Sequence, residues 1–258
     1  MRNGAELNTR LLHNLRTLHL PTVRESFEAE AVRAIQESMS YEQYLLEVTN
    51  REVETRQHNR VARLLRESRL PLDKTWESFK QERLPRKVSL QFKALLDGGF
   101  LDRRENVLAF GRPGSGKTHL LCALSHELIH RGRAVLFTPC ALLVQELLIA
   151  KRDLKLARVL KRLGRFEAIF IDDIGYVQQS REEMEVLFAL LADRYERSSI
   201  LLTSNLKFSK WEAIFKDPMT TAAAIDRLIH HCVVLELNLK SYRFETSQVG
   251  DQIEEETA

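Results

Sequence analysis

The eight residues Gly111-Arg-Pro-Gly-Ser-Gly-Lys-Thr118 combine three glycines with a lysine and two hydroxyls, a combination suited to holding phosphate. Glycines let the backbone curl so that successive N–H groups converge on an anion, and a helix N-terminus beyond them adds its dipole. Gly111, Pro113, Gly114, Ser115, Gly116, Lys117 and Thr118 are the expected nucleotide contacts. Lys117 reaches the β- and γ-phosphates of ATP, and the Thr118 hydroxyl ligates Mg²⁺. Some fifty residues on, an apolar run ends in Asp172-Asp173. Asp172 is placed to hold the metal through water, and Asp173 to polarise an attacking water, a task many ATPases give to a glutamate. A third apolar run ends in Thr203-Ser204-Asn205, and Asn205 is the expected water-positioning residue.

Such residues need a scaffold that brings three strand ends together. From about Glu105, short apolar runs at 106–110, 134–138, 168–171, 199–203 and 233–237 alternate with helical segments. That alternation predicts an α/β fold of the P-loop NTPase type, a parallel sheet with helices on both faces. The first 71 residues read differently. Leu11, Leu15 and Leu18 form one stripe before Pro21, a second helix covers 23–37, and Ser40 with Gln43 makes a capping box for a third helix reaching about Arg69. The expected organisation is a helical N-terminal DNA- or partner-binding domain over 1–71, a basic connection over 72–104, the ATPase over 105–247, and a disordered acidic tail over 248–258.

Composition limits the alternatives. With 44% hydrophobic and 29% charged residues in 258, the chain falls in the globular range. Cys122, Cys140 and Cys232 lie too far apart in sequence for a paired zinc motif, and read as buried thiols in a reducing compartment. No signal-peptide pattern or spanning apolar run is present, so a cytoplasmic protein without membrane contact is expected.

His126-Glu-Leu-Ile-His130 matches the zinc-peptidase pattern H-E-x-x-H. It falls inside the helix launched by the phosphate loop, no third ligand is marked, and the peptidase reading is rejected. The stripe Leu121, Leu124 and Leu128 then predicts a core face, with His119, His126 and His130 on a more polar one. Residues 151–165 carry seven basic side chains against one acidic. Read as one helix, they place Lys151, Lys155, Arg158 and Arg162 on a cationic face opposite Leu156, Leu160 and Leu163, suited to DNA phosphates. Arg56, Arg60 and Arg63 along the third helix form a second candidate. Trp76 and Phe79 either stack on adenine or fill the domain junction.

Together these segments resemble the IstB-type transposition helper ATPases, the AAA+ proteins related to the DnaC helicase loaders. The resemblance rests on the phosphate loop, Ile171-Asp-Asp-Ile-Gly-Tyr176, Arg194-Tyr-Glu-Arg197, Thr203-Ser-Asn205 and Asp226-Arg-Leu-Ile-His230, and it covers nearly the whole chain. It implies ATP-dependent homo-oligomers on double-stranded DNA and a cognate transposase as partner. It also implies that Arg227 serves as an arginine finger for a neighbouring subunit, and Arg243 as a sensor for bound nucleotide. A DnaC-like loader shares this motor and differs in its partner. A non-hydrolysing, ATP-gated DNA scaffold is compatible with Asp173 standing where glutamate is common. A small-molecule kinase would need a substrate pocket that the sequence does not mark.

Overall fold

The computed structural model describes the backbone of residues 2–174, 180–207, 210–211, 218–239 and 241. The chain divides into two compact units, Met1–Arg63 and Leu64–Ala258.

The first unit holds α1 (Arg2–Thr17), α2 (Pro21–Gln36) and most of α3 (Tyr41–Ser68). Pro21 opens α2, where a missing N–H costs nothing because the first helical donors have no partner within the helix. The expected capping box opens α3: Gln43 N donates to Ser40 Oγ at 3.2 Å, and Ser40 N to Gln43 Oε1 at 2.9 Å. Leu15, Val23 and Val48 form a small core flanked by Leu20, Phe27 and Tyr44. A buried carboxylate fastens the helices together. Glu52 of α3 accepts from the N–H groups of Thr22 (2.8 Å) and Val23 (3.2 Å), and so caps α2 from outside. Burial pushes its carboxyl up, but Arg56 and those two N–H groups outweigh it and hold the group below the usual carboxylate range. Arg56, which also donates to His19 O, is thus engaged within its own unit.

The second unit begins with the end of α3, followed by α4 (Arg86–Leu95) and the short α5 (Gly99–Asp102). The sheet then alternates with helices: β1 (Asn106–Gly111), α6 (Lys117–His130), β2 (Val135–Pro139), α7 (Cys140–Arg152), α8 (Leu156–Leu163), β3 (Ala168–Ile174), α9 (Arg181–Arg194), β4 (Ser199–Ser204), α10 (Pro218–Ile229) and β5 (Cys232–Leu237). All pairings are parallel, in the order β2-β3-β4-β1-β5. Strands buried on both faces are continuous apolar runs, as Ala168 to Ile171 and Ile200 to Leu202 are. Because every strand runs the same way, Gly111, Asp172 and Thr203 gather at one edge of the sheet, while Asn106, Ser199 and Cys232 gather at the other. Ligands of such sheets bind beyond the carboxyl ends, where the strand order reverses around β1.

Two local expectations are corrected. The basic stretch is not one helix: Leu154 adopts a left-handed φ of 57°, which ends α7, and α8 begins at Leu156. Leu163 is buried and Leu156, Val159 and Leu160 pack on the core, as an amphipathic helix should. However, Lys151 pairs with Glu185 at 2.8 Å, Lys155 with Asp153 at 3.1 Å, and Arg162 with Glu146. The second correction concerns α6, whose expected polar histidine face is only partly so: His130 is exposed and His119 half-buried, but His126 is buried. The helix is buried at every position from Leu120 to His126, because sheet and connecting segment cover it on opposite sides.

Arg194 at the end of α9 is 1% exposed. Its guanidinium donates to the carbonyls of Leu163 (3.2 Å), Phe166 (3.1 Å), Glu167 (3.4 Å) and Ser199 (3.0 Å). Burial pulls its pKa down to about 10, so it stays charged at neutral pH. It thereby joins the loop before β3 to the start of β4, the neighbouring strand whose far end enters the site.

Among the described residues no helix is long and apolar enough to cross a membrane. The three thiols are free, and burial pushes that of Cys122 up to about 12, which keeps it protonated and inert.

Candidate nucleotide-binding site

The turn between β1 and α6 depends on two glycines in the left-handed region, Gly114 (φ 75°) and Gly116 (φ 90°). A side chain at Gly114 would also strike Ser241, whose Oγ lies 2.1 Å from where a Cβ would stand. Only glycine fits both the backbone and the space. Gly116 caps α6, so the first N–H groups of that helix open into the loop.

Lys117 is 5% exposed, and its Nζ donates to Gly111 O at 2.9 Å and Arg112 O at 3.0 Å. A triphosphate would replace these neutral acceptors with charged ones, and hydrogen bonds between ions are roughly twice as strong. Thr118 Oγ1 donates to Asp172 Oδ1 at 2.8 Å, joining the phosphate loop to β3. Thr203 Oγ1 donates to the same oxygen at 2.6 Å and accepts from Asp173 N at 2.8 Å. The four expected residues Lys117, Thr118, Asp172 and Asp173 are therefore neighbours. Asn205 lines the same cavity, and its Oδ1 is buried with no hydrogen-bond partner among the described residues.

That cavity holds about 310 Å³ and is lined by the phosphate loop, Asp173, Asn205 and the segment before α4. Lys74, Lys80 and Arg83 join Lys117 on its wall, four cations against the single carboxylate of Asp173. Such a field suits a polyanion. Two buried polar atoms with no partner among the described residues, Asn205 Oδ1 and Ser115 Oγ, mark where a ligand or its water would be bonded. Thr118 and Asp172 are hard oxygen donors, the type a Mg²⁺ ion takes. The residues present fit a nucleotide and its metal.

Of the segment at 71–83 the sequence marked only Trp76 and Phe79 as candidates for the site; Lys74, Lys80 and Arg83 were missed. Two histidines hold the segment against α6: His126 Nε2 lies 2.9 Å from Pro71 O, and His119 Nε2 lies 3.0 Å from Thr75 O and 3.2 Å from Ser78 Oγ. His126 Nε2 is thus engaged by a carbonyl, and among the described residues the one cluster with metal-ligand spacing, Glu196, His230 and His231, includes neither His126 nor His130. The aromatic pair divides its roles. Trp76 stacks on the fully buried Phe92 at 4.4 Å, while Phe79 lies edge-on to His119 at 5.1 Å and faces the cavity beside Gly116. Phe79 is the surface available to a base, while Trp76, itself half-buried, packs between Phe79 and Phe92. The signal for this segment was the H-E-x-x-H pattern itself, whose first histidine fastens it.

Arg227 lies elsewhere. Its Nη1 donates to Ala223 O at 2.9 Å, and its guanidinium sits 4.7 Å from the centre of the Phe188 ring. Asn106 at the start of β1 bonds Leu228 O at 3.1 Å, fixing this end of α10 at the amino edge of the sheet. Six residues of β1 separate that edge from Gly111, about 17 Å at strand rise. Close by, Glu196, His230 and His231 each bring a ligand atom within 4.8 Å of the others. All three are exposed and Tyr195 Oη already engages His230 Nδ1 at 3.0 Å, so they form a polar corner beside Arg227. Arg243, Gly175 and Tyr176 lie outside the described residues, as does the acidic tail.

A family model described as IstB-like ATP binding protein matches residues 13–249. A putative insertion sequence ATP-binding protein of Sinorhizobium fredii is 40% identical over 230 residues, covering 89% of this chain and 77% of that protein. The insertion sequence IS21 putative ATP-binding protein of Pseudomonas aeruginosa is 36% identical, covering 91% and 88%. Among solved structures, a DNA replication initiation factor superposes with a TM-score of 0.57 at 19% identity, over 72% of this chain and 56% of that one. A DnaC helicase loader superposes at 0.52 and 18%, over 59% and 89%. At those identities the structural likeness speaks for the fold, which is that of AAA+ P-loop proteins. With an intact phosphate cradle, an acidic strand end beside it and a family match spanning most of its length, the chain belongs to the IstB-like ATP-binding proteins.

Proposed function

We propose that the chain is a Mg²⁺-dependent ATPase whose ATP-bound copies assemble on double-stranded DNA and present it to the transposase of an insertion sequence. The observation that carries this reading is the separation of Arg227 from the chain's own phosphate loop. The arginine stands at the opposite edge of the sheet, farther away than its side chain extends. If it stabilises a developing negative charge, it does so in a neighbouring copy. Assembly and hydrolysis are then coupled, because ATP bound to one chain is completed by the next.

In each copy, Lys117 and the loop N–H groups bind and orient the β- and γ-phosphates. Mg²⁺, held by Thr118 and Asp172, would neutralise charge on the same oxygens when bound. Asp173 accepts a proton from the attacking water, and the unpartnered Asn205 Oδ1 fixes that water by accepting its other hydrogen. Phe79 and the segment at 71–83 shield the base side.

DNA contact is assigned to the cations along α7, the turn after it and α8, namely exposed Lys151, Lys155 and Arg158 and half-buried Arg162, and to exposed Arg60 and Arg63 on α3. Exposed ion pairs such as Lys151–Glu185 are worth about 0–1 kcal/mol, so DNA phosphates can compete for these side chains. Arg56 is a weaker candidate, since Glu52 and His19 O hold it. The contacts are with the backbone and carry no sequence preference.

Light scattering on gel-filtered protein with duplex DNA tests this. A large complex is expected with ATP, and a smaller or absent one with ADP or no nucleotide. A complex of equal size under all three conditions contradicts nucleotide control. Binding to a replicative helicase in place of a transposase would redirect the partner assignment.

A further inference from the structure

We propose that Thr203, buried at the end of β4, is a positioning residue that sets the separate tasks of Asp172 and Asp173, an inference that rests on the ATPase reading above. The register of β3 against β4 pairs Ile171 with Leu202 and Ile174 with Ser204. Two residues of β3, Asp172 and Asp173, therefore stand opposite the single residue Thr203. This is a β-bulge, and Asp173 within it takes a left-handed φ of 59°. Side chains of neighbouring strand residues ordinarily point to opposite faces. Here the bulge re-aims the pair toward one end of the sheet, Asp172 against Thr118 and Asp173 into the cavity.

A left-handed aspartate in a strand persists only where its surroundings impose it. Thr203 does so with one hydroxyl used twice. It accepts from Asp173 N at 2.8 Å, giving the displaced N–H a partner, and donates to Asp172 Oδ1 at 2.6 Å, fixing the carboxylate. Ser204 closes the far side of the bulge by donating to Ile174 O at 3.0 Å. Thr203 is 0% exposed, so its hydroxyl meets these partners and not bulk solvent. Thr118 shares the same Asp172 oxygen at 2.8 Å. Once the Thr118 hydroxyl turns to a metal ion, Thr203 is the donor that keeps Asp172 oriented. Neither a methyl group nor a carbonyl could both donate and accept in this place. A hydroxyl can.

The test compares wild type, Thr203→Val, Thr203→Ala and Thr203→Ser by two binding measurements and a melting curve. Mn²⁺ uptake is followed by electron paramagnetic resonance with a saturating non-hydrolysable ATP analogue, and metal-free nucleotide binding by a fluorescent ADP in EDTA. Loss of an orienting partner typically weakens metal binding about 10–100-fold, and that loss is expected for Val and Ala. Metal-free ADP affinity should not move, and Ser should restore Mn²⁺ binding. Should Val fail to fold, Ala against Ser gives the same comparison. Mn²⁺ binding unchanged in a folded Val or Ala variant overturns the assignment, as does a Ser variant no better than Ala. If the wild-type chain itself takes up no fluorescent ADP, the ATPase reading fails first, and this one with it.

Discussion

Replacing Arg227 with alanine is expected to lower steady-state ATP hydrolysis by roughly 10³-fold or more, the range in which arginine fingers act, while ATP affinity stays near that of wild type. The asymmetry follows from geometry. Arg227 bonds Ala223 O and faces Phe188 at the amino edge of the sheet, with no path to its own cradle at the carboxyl edge. Under the proposed trans arrangement, its loss leaves the chain's own binding contacts intact and removes a charge that the transition state of a neighbour uses. Mixing gives the sharper version. Arg227→Ala retains a site without a finger, and Lys117→Ala retains a finger without a site. Two inactive preparations should recover hydrolysis when combined, measured by phosphate release. Normal turnover by Arg227→Ala alone, or no recovery in the mixture, would remove the trans arrangement.

Asp173→Asn should lower kcat by about 10²- to 10⁴-fold, the usual contribution of a positioned general base, with little change in the ATP concentration for half-saturation. Asparagine is the substitution to choose, because Asp173 sits at φ 59° and asparagine is among the few residues that tolerate that region. It also keeps the backbone N–H that Thr203 accepts. If hydrolysis loosens the complex as proposed, the variant should load ATP and stay assembled on DNA. Single-turnover quench kinetics distinguish this from a folding defect: binding and assembly persist and chemistry slows. A variant that hydrolyses at the wild-type rate would show that the carboxylate is not the base.

The parts legible in the sequence were those where a local pattern and its chemistry coincide. All five strands lie where short apolar runs alternate with helical segments, and the Ser40–Gln43 box opens α3 as its spacing implies. Lys117, Thr118 and Asp172 come together because glycines, lysine and hydroxyl between a strand and a helix admit few structures. The parts not legible depend on single backbone angles or distant partners. Leu154 interrupts the basic stretch with one left-handed residue, which no periodicity records. The bulge at Asp173 is invisible because Asp172-Asp173 reads equally well as a regular strand end. His126 and His119 were assigned to a polar face, yet the carbonyls they meet belong to Pro71 and Thr75, more than forty residues earlier. Glu52 capping α2 is the same kind of tertiary event: a carboxylate on α3 satisfying N–H groups thirty residues away.

The central claim is that the hollow formed by Gly114, Gly116 and Lys117 captures a triphosphate. Isothermal titration of the folded wild-type chain with ATP and Mg²⁺ tests it most directly. One nucleotide per chain is the expected stoichiometry, with ADP competing for the same place. Absence of any binding heat for either nucleotide, across temperatures where the chain is folded, would contradict the account at its base.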